Sequence, residues 1–171
     1  MTRLSSRQFL VVLEHDDGVE RVAVEFESHA SNVGEARRFV RQRLVGWGLG
    51  KDDAFIDRVV LVLSELVTNA VVHGRTRPPN EKETVGVALA FKRDFALGLV
   101  VTDNSYGAPI PRIRPSVGAV RGRGLALVNA ESDGWAATPH PEGEGGWGKG
   151  VWAFFCCPQT VVVPELLPQP E

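Results

Sequence analysis

The sequence predicts an α+β fold: a two-layer α/β sandwich in which one mixed β-sheet carries helices on one face. Three observations point there. Strand-like stretches adjoin one another, in the order β-β-α-α-β-β-loop-α-β-β, instead of alternating with helices. Only two stretches have both the length and the period of long helices. The chain has 171 residues, 43% of them hydrophobic, which suits a single domain with a sizeable core.

Taken in order, residues 8–14 (Gln-Phe-Leu-Val-Val-Leu-Glu) read as a strand, and Asp16-Asp17-Gly18 as a turn. Residues 21–26 alternate, with Val22, Val24 and Phe26 on one face, so the start of the chain reads as a β-hairpin. From Ser31 the period changes. Val33, Ala36, Val40, Leu44 and Trp47 fall at helical spacing, with Ser31 or Asn32 as the cap and Gly46-Trp47-Gly48 as the end. Arg37, Arg38, Arg41 and Arg43 lie mostly off that stripe. They form either a solvated face or a surface for an acidic partner.

Asp52 is placed to cap a second, longer helix that runs to His73 and stops at Gly74. Residues 75–83 are polar with two prolines and read as a loop. Residues 84–91 and 96–102 are strand-like, joined by Lys92-Arg93-Asp94. Residues 103–122 are rich in Gly and Pro without periodicity, and a loop of that length in a compact domain tends to be functional. A short helix over 124–130 and strands over 133–137 and 147–156 complete the domain. The expected organisation is an N-terminal hairpin extension over 1–24, a domain over 25–157, and a Pro-rich acidic tail over 158–171.

Bulk chemistry excludes several classes. A net charge of −2, from 19 basic and 21 acidic residues, disfavours sequence-independent nucleic-acid binding. The two cysteines, Cys156 and Cys157, are adjacent, which rules out a disulfide framework or a zinc site of spaced cysteine pairs. Buried reduced thiols fit the cytoplasm. No apolar run has the ~18–20 residues that a membrane span needs.

The second helix is apolar almost all round, so its polar residues need a reason. Glu65, Asn69 and His73 are spaced by four and share a face. In a cleft, Asn69 can offer a carbonyl oxygen to a hard cation, and Glu65 can act as a base. The plainer alternatives are a face that meets water, a Glu65–arginine pair, and a His73 that only answers the helix dipole. Asp103 ends an apolar strand, where it can accept from an exocyclic amino group or initiate a turn with Asn104. Arg121-Gly122-Arg123-Gly124-Leu125 runs a glycine pair into a helix, either as a phosphate cradle or as a plain turn.

The stretch Ser64-Glu65-Leu66-Val67-Thr68-Asn69-Ala70-Val71-Val72-His73-Gly74, then Val101-Thr102-Asp103 with Gly107, then Gly122-Arg123-Gly124-Leu125, resembles the GHKL ATPases. Within them it is similar to the bacterial anti-sigma factor serine/threonine kinases. The first stretch resembles their N box, and the other two their glycine boxes. The resemblance covers roughly residues 26–155. It implies a Bergerat-type, histidine-kinase-like ATPase fold with ATP between the long helices and a lid. It implies that Asn69 binds Mg2+, that Asp103 holds the adenine amino group, and that Gly122 and Gly124 sit at the phosphates. It implies that Glu65 is the general base toward a serine or threonine hydroxyl. The implied partners are an anti-anti-sigma factor as substrate and a sigma factor to sequester, with pairing to a second copy through the sheet left open.

Two departures stand out. The first glycine box usually reads Asp-x-Gly-x-Gly, but here Ser105 replaces the first glycine. The stretch from Gly107 to Gly122 is short and proline-rich for a lid. A non-enzymatic binding module that uses the arginine-rich helix is therefore kept beside the kinase, and a detached histidine-kinase catalytic domain is a third alternative.

Overall fold

The computed structural model describes residues 4–105, 123–140 and 148–158. The elements are α1 (Ser6–His15), β1 (Glu20–Glu27), a short 3-10 turn (Ala30–Asn32), α2 (Val33–Gly46), α3 (Asp53–His73), β2 (Thr84–Lys92), β3 (Ala96–Asp103), α4 (Arg123–Glu131), β4 (Gly134–His140) and β5 (Gly148–Cys156). The strands form one sheet in the order β1-β2-β3-β5-β4.

The α+β class and the sheet-against-helices sandwich agree with the sequence. Two details are corrected. The four pairings are all antiparallel, so the sheet is not mixed among the described residues. Helices also occupy both faces, because α1 lies on the side away from α2 and α3.

That helix replaces the first strand of the hairpin expected over residues 1–24. The period-2 character of residues 8–14 loses to a capping box. Gln8 N–H donates to Ser5 Oγ at 3.3 Å, and Ser5 N–H donates to Gln8 Oε1 at 2.7 Å. Phe9 and Leu13, four apart, are then buried together, while Val11 stays 53% exposed. Phe9 stacks on Phe154 of β5, with ring centroids 5.1 Å apart. The C-terminal carbonyls of α1 are held by Arg21 Nη2, which donates to Leu13 O at 2.9 Å and Glu14 O at 3.0 Å. Gly98 of β3 lets the helix sit close to the sheet, since a Cβ there would lie 2.7 Å from Leu13 Cδ1 and the leucine would have to shift. The turn over residues 16–18 is real, with Gly18 N–H donating to Asp16 Oδ1 at 2.8 Å, but it joins a helix to a strand.

The larger core lies on the other face. Val59, Val62, Leu63 and Leu66 of α3 meet Leu97, Leu99 and Val101 of β3, and Ala36, Val40 and Leu44 of α2 complete it. The predicted α2 stripe is thus buried. Asn32 occupies the cap position without capping, because its Nδ2 donates to Glu27 O at 2.8 Å. Asp52 caps α3 as predicted, accepting from Phe55 N–H at 2.8 Å. Arginines of α2 reach α3: Arg37 Nε donates to Ser64 Oγ at 2.7 Å, and Arg41 pairs with Asp57 at 2.6 Å. Among the described residues, no helix is long and apolar enough to cross a membrane. Cys156 is exposed, not buried, and neither cysteine is joined in a disulfide. Burial, with Cys156 and Asp94 nearby, pushes the half-buried Cys157 thiol up to about 12. The tail over 159–171 lies outside the described residues.

Candidate functional site

Helix α3 brings Glu65 and Asn69 to the seam where α4 begins. A Cβ added at Gly124, in the first turn of α4, would lie 3.0 Å from both Glu65 Oε2 and Asn69 Nδ2, and 3.4 Å from Asn69 Oδ1. Both side chains are half-buried, and no hydrogen bond or ion pair engages either of them among the described residues. A carboxylate and an amide thus stand open beside the first turn of a helix, where backbone N–H groups also lack intrahelical partners. Ser64, their neighbour in the sequence, is buried and turned away. It donates to Val60 O at 2.7 Å and accepts from Arg37.

Five residues beyond Asn69, about 7.5 Å of helix rise, α3 ends at Gly74. The sequence marks Gly74 as a stop, but its φ of −86° is ordinary right-handed backbone. What requires glycine there is Asp103. An added Cβ would fall inside 3.0 Å of the Asp103 carboxyl carbon and Oδ2. Asp103 is therefore wedged against the end of the helix that carries Asn69.

Asp103 is only 7% exposed. Its Oδ1 accepts from Ser105 N–H at 2.9 Å and from Ser105 Oγ at 2.7 Å. Lys149, opposite Asp103 in the β3–β5 register, places Nζ 2.5 Å from Ser105 Oγ and 3.5 Å from Asp103 Oδ2. Sequence reasoning missed Lys149. The signal was there in the strand alternation, because Lys149 shares its face with the buried Val151, Ala153 and Phe155.

Glu83 was missed as well, and no local pattern marks it within a charged loop. Its side chain is 2% exposed. It accepts from Thr76 N–H at 3.0 Å, Thr76 Oγ1 at 2.9 Å and Asn104 Nδ2 at 3.1 Å, with Arg75 Nε at 3.8 Å. Burial alone would raise its pKa. The hydrogen bonds from Thr76, Asn104 and Arg77 outweigh that and hold it below the usual carboxylate range. Glu83 ties the loop after α3 to the residue that follows Asp103.

The remaining predicted residues divide. His73 is exposed in the last turn of α3. Leu125 is half-buried in α4. Arg123 begins α4, but its side chain lies outside the described residues, as do Gly107, Arg121 and Gly122.

The donor set fits a nucleotide with a hard cation. Asn69 and Glu65 supply oxygens of the kind that Mg2+ takes. The bare Gly124 lets the α4 backbone come close to them. Asp103 offers a buried carboxylate of the kind to which a base N–H can donate. Residues 26–148 match the family model described as the histidine kinase-like ATPase domain. No curated protein matches the chain.

Proposed function

The chain belongs to the histidine kinase-like ATPase domain family, an ATP-binding fold, and on that premise we propose that it is a serine/threonine-protein kinase that also acts as an anti-sigma factor. The substrate is a serine or threonine of an anti-anti-sigma partner, the second partner is a sigma factor, and the setting is the cytoplasm. The observation that carries this reading is the pair Glu65 and Asn69, without a hydrogen-bond partner among the described residues and set against Gly124 on the helix whose end abuts Asp103.

ATP with Mg2+ supplies the phosphoryl group and neutralises its charge. The residues of the chain do the rest. Asn69 Oδ1 binds the cation. Asp103 accepts from the amino group of the base. Gly124 and Leu125 of α4 are assigned to the phosphates, and the resemblance adds Gly107, Arg121, Gly122 and Arg123 to that assignment. His73, exposed in the last turn of α3, is assigned to the nucleotide as well. Glu65 takes the proton of the attacking hydroxyl.

The test is transfer of label from ATP to candidate anti-anti-sigma proteins from the same genome, with and without Glu65→Ala. The expected outcome is a phosphorylated partner, loss of labelling by at least about 100-fold in Glu65→Ala, and retained ATP binding. Labelling that survives Glu65→Ala removes the base assignment. One observation favours a second reading, a catalytically silent partner-binding module: Ser105 already occupies Oδ1 of Asp103. Absence of ATP binding at millimolar nucleotide would decide for that reading.

A further inference from the structure

We propose that Ser105 and Lys149 are positioning residues that set the Asp103 carboxylate to read an amino group on the nucleobase. The proposal rests on the function given above.

A carboxylate as buried as Asp103 needs compensation inside the protein. The compensation here falls on one oxygen. Oδ1 receives two donors, Ser105 N–H at 2.9 Å and Ser105 Oγ–H at 2.7 Å. The serine hydroxyl has one proton, and Oδ1 takes it, so Oγ is left to accept. Lys149 Nζ donates there at 2.5 Å. Nζ is 3.5 Å from Oδ2, longer than the ~3.2 Å limit of a good N–H···O bond, so the lysine acts on that oxygen through charge. Oδ2 faces Gly74 and receives no hydrogen bond among the described residues. The relay from Lys149 through Ser105 saturates Oδ1, fixes the plane of the carboxylate, and leaves Oδ2 as the acceptor for an incoming N–H.

A glycine at 105 would keep the N–H donor but lose the hydroxyl, and with it the link to Lys149. Ser105, where the resembled motif carries glycine, and Lys149 opposite Asp103 therefore work as one device. Lys149 is suited to it, with a side chain only 16% exposed on the strand that pairs with β3.

The experiment measures the affinity of the full chain for ATP and for purine riboside triphosphate, which lacks the 6-amino group. The proteins are wild type, Lys149→Met, Ser105→Gly, their double variant and Ser105→Thr, each with a melting temperature. Wild type should prefer ATP by at least about tenfold, the worth of a hydrogen bond to a charged group. The ratio should fall toward one in Lys149→Met and in Ser105→Gly, fall no further in the double variant, and persist in Ser105→Thr, which keeps the hydroxyl. A general loosening of the fold would weaken both nucleotides together and leave the ratio intact. That result overturns the proposal. A wild-type ratio near one overturns instead the assignment of Asp103 to the base, and this inference with it.

Discussion

Replacing Gly74 by alanine isolates the contact between α3 and Asp103. Alanine suits the backbone there, because φ is −86° and the residue closes the helix. On helix propensity alone the change would stabilise by up to ~1 kcal/mol. The space decides otherwise. The new Cβ would fall inside 3.0 Å of the Asp103 carboxyl carbon and Oδ2, and 2.6 Å from Ala70 O. Neither neighbour yields easily, since Asp103 is tied to Ser105 and Ala70 O belongs to the helix. Overpacking of this kind costs ~1–3 kcal/mol, which leaves a net loss of up to about 2 kcal/mol once the full propensity gain is counted. For a chain of this size that lowers the melting temperature by up to about 8 °C. Thermal unfolding followed by circular dichroism reads the loss, and ATP titration reads the displaced carboxylate as weaker binding. In an Asp103→Ala background only the contact with Ala70 O is left, so Gly74→Ala should cost less there. A Gly74→Ala protein that melts at or above the parent temperature and binds ATP equally well would refute the wedge.

Gly124→Ala should behave in the opposite way. The atoms its Cβ meets at 3.0 Å are the ends of two side chains, which can swing aside, and alanine favours the helix by ~1 kcal/mol. The melting temperature should hold or rise while Mg2+-dependent ATP affinity falls, and a simultaneous gain in both would count against the seam as a metal site. Glu83→Gln should destabilise by ~1–3 kcal/mol near neutral pH, because it brings an amide N–H toward buried donors. The folded-state pKa of Glu83 is depressed. Its contribution is therefore present above its ordinary 4.5 and is lost as pH falls through the lower folded value. Denaturant midpoints of the two proteins should converge below pH 4.5, and a gap that stays constant into acid would assign the cost to shape instead of charge.

Periodicity and capping made most of the fold legible. Helices α2 and α3 and strands β1, β2, β3 and β5 begin within about two residues of where hydrophobic period and cap chemistry place them. The failure at residues 8–14 has a physical cause. A run of Phe, Leu and Val satisfies both periods, and the vote of Ser5 and Gln8 is visible only as a reciprocal pair. Strand pairing was not legible, because sequence order does not say that β5 inserts between β3 and β4. At the site, Glu65, Asn69 and Asp103 could be picked out as polar residues in apolar surroundings. Glu83 gains its meaning from burial, a tertiary fact, and Lys149, readable as a charge on a buried strand face, gains its partner only from the register opposite Asp103. Gly74 was legible as the helix stop it is, but its second role, clearance for a carboxylate, is a tertiary fact.

The placement of α1 grips the sheet unequally. Near Phe154, Gly98 and Ala90 the strands are clad on both faces, by α1 on one side and the larger core on the other. Toward Asp103, Thr102 and Gly150 the face that α1 occupies elsewhere opens into a groove of about 600 Å3. Among the described residues the sheet is thus clad on both faces at one end and on one face toward Asp103, where Gly74, Ser105 and Lys149 hold the carboxylate in place of α1.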